Sequence, residues 1–207
     1  MTTFDQEAVL RRFARAAEDA HAELTELDQR SGDGDFGDNL RGGLRAAVQR
    51  FEDGSGGAFD ALGEVFLDEV GGTSGPLLGL LFTEIAHALA SGTDPLTAFG
   101  EGTRAGLAAI QRVGEARVGD RTLVDALSPA ADALVGGGWA EAAAAAKEGA
   151  DLTSGLRARM GRASYVGERV KGAPDPGAVG IALLFWVAAT VAEPDASVPS
   201  PLSGVTG

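Results

Sequence analysis

Apolar side chains recur along most of this chain at the three-and-four spacing of helices that bury one face. In residues 4–27 the stripe is Val9, Phe13, Ala16 or Ala17, Ala20, Leu24 and Leu27, and after a break it resumes at Leu40, Leu44, Ala47, Val48 and Phe51. A third helix is expected through Phe59, Leu62, Phe66 and Val70, and a fourth over 77–89. Pro76 lies in the first turn of the fourth, where a missing N–H costs nothing. A fifth opens at Pro95 and runs to about Val113. A sixth opens at 119–122 and ends at the glycines 136–138. An alanine-rich helix covers 139–157, the glycine-dense stretch 161–177 is irregular, and Pro176 opens a last helix to about Ala192. No segment reads as a strand, and there is no internal repeat or domain-sized linker.

The pattern therefore predicts an all-α protein with one domain over 1–193 and a Pro/Ser/Gly tail over 194–207 that is expected to be mobile. The 207 residues suffice for one sizeable core. The formal charge of −13 disfavours nonspecific binding to nucleic acid or anionic membranes, while leaving room for a local cationic pocket. The absence of cysteine excludes disulfides and thiolate chemistry. The first residues carry no basic-then-apolar leader, and the longest apolar run, 178–189, is too short to span a bilayer. A soluble, cytoplasmic protein is expected.

The densest chemistry lies in Asp28-Gln-Arg-Ser-Gly-Asp33-Gly-Asp35-Phe-Gly-Asp-Asn39, where acids alternate with glycine between two helical stretches. Carboxylates this close repel one another unless a hard cation sits between them, and the glycines let a short loop bring them together. A divalent metal on Asp28, Asp33 and Asp35 is the economical reading, and a metal with open positions suits phosphate oxygens. An acidic surface turn is the plain alternative. An EF-hand fits badly: counted from Asp33, position 6 is Asp38 rather than glycine and position 12 is Leu44 rather than glutamate.

Two further segments suit phosphate. Gly71-Gly-Thr73-Ser74-Gly75 opens a helix with backbone N–H groups, two hydroxyls and the positive helix end, although an ordinary N-cap has the same look. It is not a P-loop, because no Gly-Lys-Ser/Thr follows. The loop from Gly161 to Gly177 carries Arg162, Arg169 and Lys171, a counter-charge for phosphate or simply a solvated loop. The two histidines, His21 and His87, lie inside helical patterns without a serine–acid partnership, which argues against a hydrolytic triad. The turn Gly119-Asp120-Arg121-Thr122 is explained by helix capping, and Asp125 one turn later faces either solvent or the site.

Four segments in register resemble the nucleotide-binding L subunit of dihydroxyacetone kinase. They are Leu27-Asp-Gln-Arg-Ser-Gly-Asp-Gly-Asp-Phe-Gly-Asp-Asn39, Gly71-Gly-Thr-Ser-Gly-Pro-Leu77, Gly119-Asp-Arg-Thr-Leu-Val-Asp-Ala-Leu-Ser-Pro129, and Gly161-Arg-Ala-Ser-Tyr-Val-Gly-Glu-Arg169 with Asp175-Pro-Gly-Ala178. The resemblance implies an antiparallel eight-helix barrel with the nucleotide site at one end. It implies two Mg²⁺ ions on Asp28, Asp33 and Asp35, bridging the phosphates of ADP or ATP. By the same matching, Phe36, Gly37, Asp38 and Asn39 form a nucleotide-facing stretch, with Asn39, Thr73 and Ser74 on phosphates. Gly119 and Ser128 line the nucleotide pocket, Arg162 stabilises the transferring phosphoryl group, and Asp175, Pro176 and Gly177 close the site.

In that family the ketone is held as a covalent hemiaminal on a separate K subunit or domain, for which this chain has no counterpart. The resemblance thus implies a kinase subunit, a K-subunit partner, a homodimer, and a phosphohistidine donor protein that recharges bound ADP. Phe36 departs from the histidine common at this position, so a phosphate-directed donor is lost. An ATP-dependent kinase subunit for a tetrose or other short sugar, and a non-enzymatic nucleotide-binding regulatory module, are the alternatives.

Overall fold

The computed structural model describes residues 4–202 apart from 55 and 93, with backbone alone at 168 and 169. Expectations about the first three residues, the end of the tail (203–207) and the Arg169 cation lie outside the described residues. Nine α-helices make up the described chain, and no strand occurs among the described residues. They are α1 (Gln6–Asp19), α2 (His21–Ser31), α3 (Phe36–Glu52), α4 (Ala58–Asp68), α5 (Ser74–Leu89), α6 (Pro95–Gly114), α7 (Val124–Ala133), α8 (Trp139–Leu152) and α9 (Pro176–Ala192).

The expected first helix is thus two, parted at Ala20. Its apolar stripe runs on through the break, because Ala20 still donates to Ala16 O and Leu24 to Ala20 O. The sixth expected helix starts later than its pattern suggested, at Val124, because residues 117–122 fold as a turn. Asp120 and Asp125 hold that turn by accepting the N–H groups of Arg117 and Thr122, each at 2.8 Å. The alanine-rich helix stops at Leu152 and continues only as the short 3₁₀ turn Thr153–Gly155.

From α2 onward each helix packs on its successor in the chain, α1 packs on α3, and α9 returns to α1 and closes the ring. With α1 and α2 counted as one broken helix, the arrangement is compatible with the eight-helix barrel that the resemblance implies. The α9 helix is apolar all round, as a helix buried on every side must be, and touches α1, α2, α3, α7 and α8. Aromatic rings pack together in the interior, mostly edge to face or tilted. Phe82 meets Phe66, Phe59 and Phe13 at centroid distances of 5.1, 6.4 and 6.5 Å. Such pairs add to the ~1.5–3 kcal/mol that burying each ring contributes.

Close helix approach depends on glycine. A β-carbon on Gly102 in α6 would stand 2.8 Å from the Glu84 carbonyl oxygen of α5, so no side chain fits there. After α9, residues 194–202 sit against the ring rather than apart from it. Trp186 Nε1 donates to Val198 O at 3.1 Å, and Leu202 is buried. No helix among the described residues is long and apolar enough to cross a membrane.

Candidate nucleotide and metal site

One end of the ring holds a cavity of about 250 Å³. The starts of α3, α5, α7 and α9 line it through Phe36, Ser74, Val124 and Pro176, while α2 and α6 end there through Ser31 and Gly114. Helices that alternately begin and end at one rim run antiparallel. Four N-termini therefore bring four positive dipole ends and their first-turn N–H groups to one cavity. Thr73, the N-cap of α5, makes no capping bond with its own side chain.

Most of the residues singled out in the sequence line this cavity: Asp28, Asp33, Asp35, Phe36, Asn39, Thr73, Ser74, Arg162, Asp175, Pro176 and Gly177. They come from four stretches as much as 149 residues apart, the separation of Asp28 and Gly177. The three acids share the wall without converging. Asp28 Oδ2 accepts the Phe36 N–H at 3.0 Å, and Asp33 is ion-paired with Arg162. Among the described residues no three acidic or histidine side chains are grouped as a ligand set. The donors nevertheless suit Mg²⁺ in kind, being carboxylate oxygens from the last turn of α2 and the loop that follows it, beside the hydroxyls of Thr73 and Ser74.

Four expected contacts do not line the cavity. Gly37 packs α3 against α2, where a β-carbon would come within 2.9 Å of His21 O and against the Thr25 hydroxyl. Asp38 points outward and binds His21 Nε2 at 2.8 Å and Arg41 Nη2 at 2.7 Å; the His21 hydrogen bond holds its carboxyl below the ordinary range. Gly119 serves the turn before α7. Its φ of +98° suits glycine, and its N–H donates to Asp125 Oδ1 at 2.5 Å. Ser128 lies a turn deeper in α7, half-buried and away from the lining. Phe36 is buried, with its ring edge against α9: Cζ is 2.8 Å from where a β-carbon on Gly180 would sit.

Two features escaped the sequence reading. The first is an apolar wall of Leu77, Ile110, Leu123, Val124 and Met160. Leu77, Ile110 and Val124 belong to ordinary helical stripes, which do not mark the end that faces a cavity, while Leu123 and Met160 lie outside the helices. The second is Arg121, 1% exposed and on the cavity wall, inside the turn before α7. Its signal was a cation set between two acids just before an apolar run. Asp125, whose orientation the sequence left open, is buried and ties this turn together. Burial lowers the pKa of Arg121, against the pull of Asp175. Burial likewise pushes Asp175 up to about 6, against the Ala178 N–H that its carboxylate accepts and the charge of Arg121.

The DAK2 domain family matches residues 30–190. The chain is similar to the L-erythrulose 1-kinase of Mycolicibacterium smegmatis, 39% identical over 193 residues that make up 86% of this chain and 34% of that kinase. It is 34% identical over 190 residues to the PEP-dependent dihydroxyacetone kinase 1, ADP-binding subunit DhaL, of Listeria innocua, covering 88% of this chain and 95% of that subunit. In fold it is similar to the dihydroxyacetone kinase from C. freundii crystallised with AMP-PNP and Mg²⁺. The TM-score is 0.69 at 26% identity, over 91% of this chain and 34% of that one. The chain thus spans about a third of the two kinases and nearly all of the Listeria subunit.

Proposed function

The chain belongs to the DAK2-domain family, and on that premise we propose that it is the ADP- or ATP-binding subunit of a dihydroxyacetone-type kinase. It acts in the cytoplasm with a K-subunit partner that holds a small ketose. One observation carries this reading: four helix N-termini share one cavity with three carboxylates, Asp28 near the end of α2 and Asp33 and Asp35 on the loop after it. The helix ends favour phosphate, while the carboxylates exclude it unless a cation lies between. A magnesium nucleotide satisfies both demands, because divalent ions offset most of the charge of the carboxylates and the diphosphate and the helix ends face the remainder.

On this reading Asp28, Asp33 and Asp35 hold the magnesium ions, which neutralise phosphate charge. Asn39, Thr73 and Ser74 take phosphate oxygens at the starts of α3 and α5. The apolar wall from Leu77 to Met160 faces the base, where flat apolar surface is the natural complement. Arg162, at the rim, exchanges Asp33 for a phosphoryl oxygen and stabilises charge as it moves, a task for a planar guanidinium. Asp175, Pro176 and Gly177 exclude water from that end.

The donor is read as a phosphohistidine protein that recharges bound ADP, supported by similarity to a PEP-dependent subunit over 95% of its length. The second reading, an ATP-dependent kinase for a four-carbon ketose, is favoured by the 39% identity to an L-erythrulose 1-kinase. Product formation decides between them. The purified chain is assayed with and without a K subunit, on dihydroxyacetone and erythrulose, with ATP and then with a phosphohistidine donor. Transfer to dihydroxyacetone that needs both partner and phosphohistidine is expected. Turnover of erythrulose with ATP supports the second reading, and full activity of the chain alone overturns the subunit assignment.

A further inference from the structure

Arg121 belongs to no step described so far, yet it has the largest side chain among those fully buried. A buried guanidinium gives up strong hydration, so filling space alone would be better served by an apolar residue. Its backbone is also unusual, with φ +62° in the left-handed region that favours glycine. That conformation is imposed by the turn around it. Asp125 accepts the N–H groups of Gly119 and Thr122, and Asp120 accepts that of Arg117.

From this fixed base the side chain reaches a segment about fifty residues later. Nη2 donates to the carbonyl oxygens of Ala173 at 3.0 Å, Val170 at 3.2 Å and Pro174 at 3.5 Å. Nη1 stands 3.8 Å from Asp175 Oδ1. Nε and Nη1 have no hydrogen-bond partner, so the guanidinium holds donors in reserve inside the wall. The far side of the same segment is fastened separately: Asp175 N donates to the Thr153 hydroxyl at 2.7 Å, and Gly172 N to Ser154 O at 3.0 Å. Asp175 in turn accepts the Ala178 N–H at 2.9 Å and so starts α9.

We propose that Arg121 is a positioning residue that clasps the segment 170–175 to the turn before α7, and thereby holds the start of α9 over the mouth of the nucleotide cavity. The proposal rests on the nucleotide reading for its effect on ligand, but the clasp itself does not. Three carbonyls from one loop meet one guanidinium from another, which ties the segment before α9 to the turn before α7. Loss of the clasp lets the mouth open, so nucleotide leaves faster and enters at least as fast.

The test uses the full chain with Arg121→Met, which keeps bulk and removes the donors, and Arg121→Lys, which keeps charge at a single point. Hydrogen exchange of the amides 170–178 is followed without nucleotide. Stopped-flow with a fluorescent ADP in Mg²⁺ then gives entry and exit rates. In Arg121→Met these amides are expected to exchange tenfold faster or more while those of α4 and α5 stay near wild type. ADP exit is expected to rise tenfold or more with entry undiminished, and Arg121→Lys is expected to recover part of both. Exchange and exit within twofold of wild type in both variants overturns the clasp. If Arg121→Met does not fold, the lysine variant decides by the same two readouts. If the wild type does not bind Mg-ADP, the nucleotide reading falls, and exchange at 170–178 still decides the clasp.

Discussion

Arg162 and Asp175 face the same cavity in opposite circumstances, and each yields a prediction. Arg162 is 63% exposed at its side chain and holds Asp33, so it is poised at the mouth rather than buried in the wall. Arg162→Ala is expected to lower turnover by on the order of 10²-fold, with a smaller change in ADP affinity, and Arg162→Lys to restore only part. Steady-state kinetics beside calorimetry checks this, and wild-type turnover in the alanine variant would refute the role. Asp175 is 13% exposed, and its pKa rises to about 6. The native state therefore binds more protons than the unfolded chain between about pH 4 and 6, and stability falls as pH rises through that window. The size is on the order of 2–3 kcal/mol. Asp175→Asn keeps an N-cap acceptor and removes the titration. Urea melts across pH 4–7 should show the variant gaining on wild type as pH rises, and a flat difference would contradict the burial account. Both residues stood out in the sequence as a loop cation and a helix start. Their environments did not, since burial is decided by chain far away.

Among the helices, contact between α5 and α6 leaves no room for a side chain at Gly102. At Gly102 the helix-propensity gain of alanine, about 1 kcal/mol, opposes a clash with backbone rather than with a movable side chain. The clash wins, because overpacking a fixed contact costs about 1–3 kcal/mol or more. Gly102→Ala is expected to be destabilised by about 1–2 kcal/mol net in chemical denaturation, and equal or greater stability would show that the two helices can part freely. Helix existence was legible from period and from proline and glycine boundaries, and for the all-apolar α9, which has no period, from an apolar run opened by Pro176. The break at Ala20 was not, since the stripe passes through it unbroken. Nor was the late start of α7, because Asp120 and Asp125 act through side-chain bonds to a turn that a stripe does not record.

At the scale of the molecule, a ring closed by α9 on α1 leaves an end where alternate helices all begin. That end concentrates positive dipoles in a chain whose formal charge is −13. Periodicity cannot show such closure, which joins the two ends of the chain. The four motifs in register could, because they imply a known arrangement. They could not show Arg121, whose acceptors lie 49–53 residues onward and are backbone oxygens without a sequence signature. The central claim is that this end binds a magnesium nucleotide through the acidic loop. Calorimetric titration of Mg-ADP into wild type, Asp33→Asn and Asp35→Asn, each checked for folding by circular dichroism, tests it most directly. Binding that requires Mg²⁺ is predicted for wild type. Both variants should fold yet lose affinity by about 100-fold or more, since even partners of metal ligands cost 10–100-fold. Mg-ADP affinity unchanged in both folded variants would contradict the account.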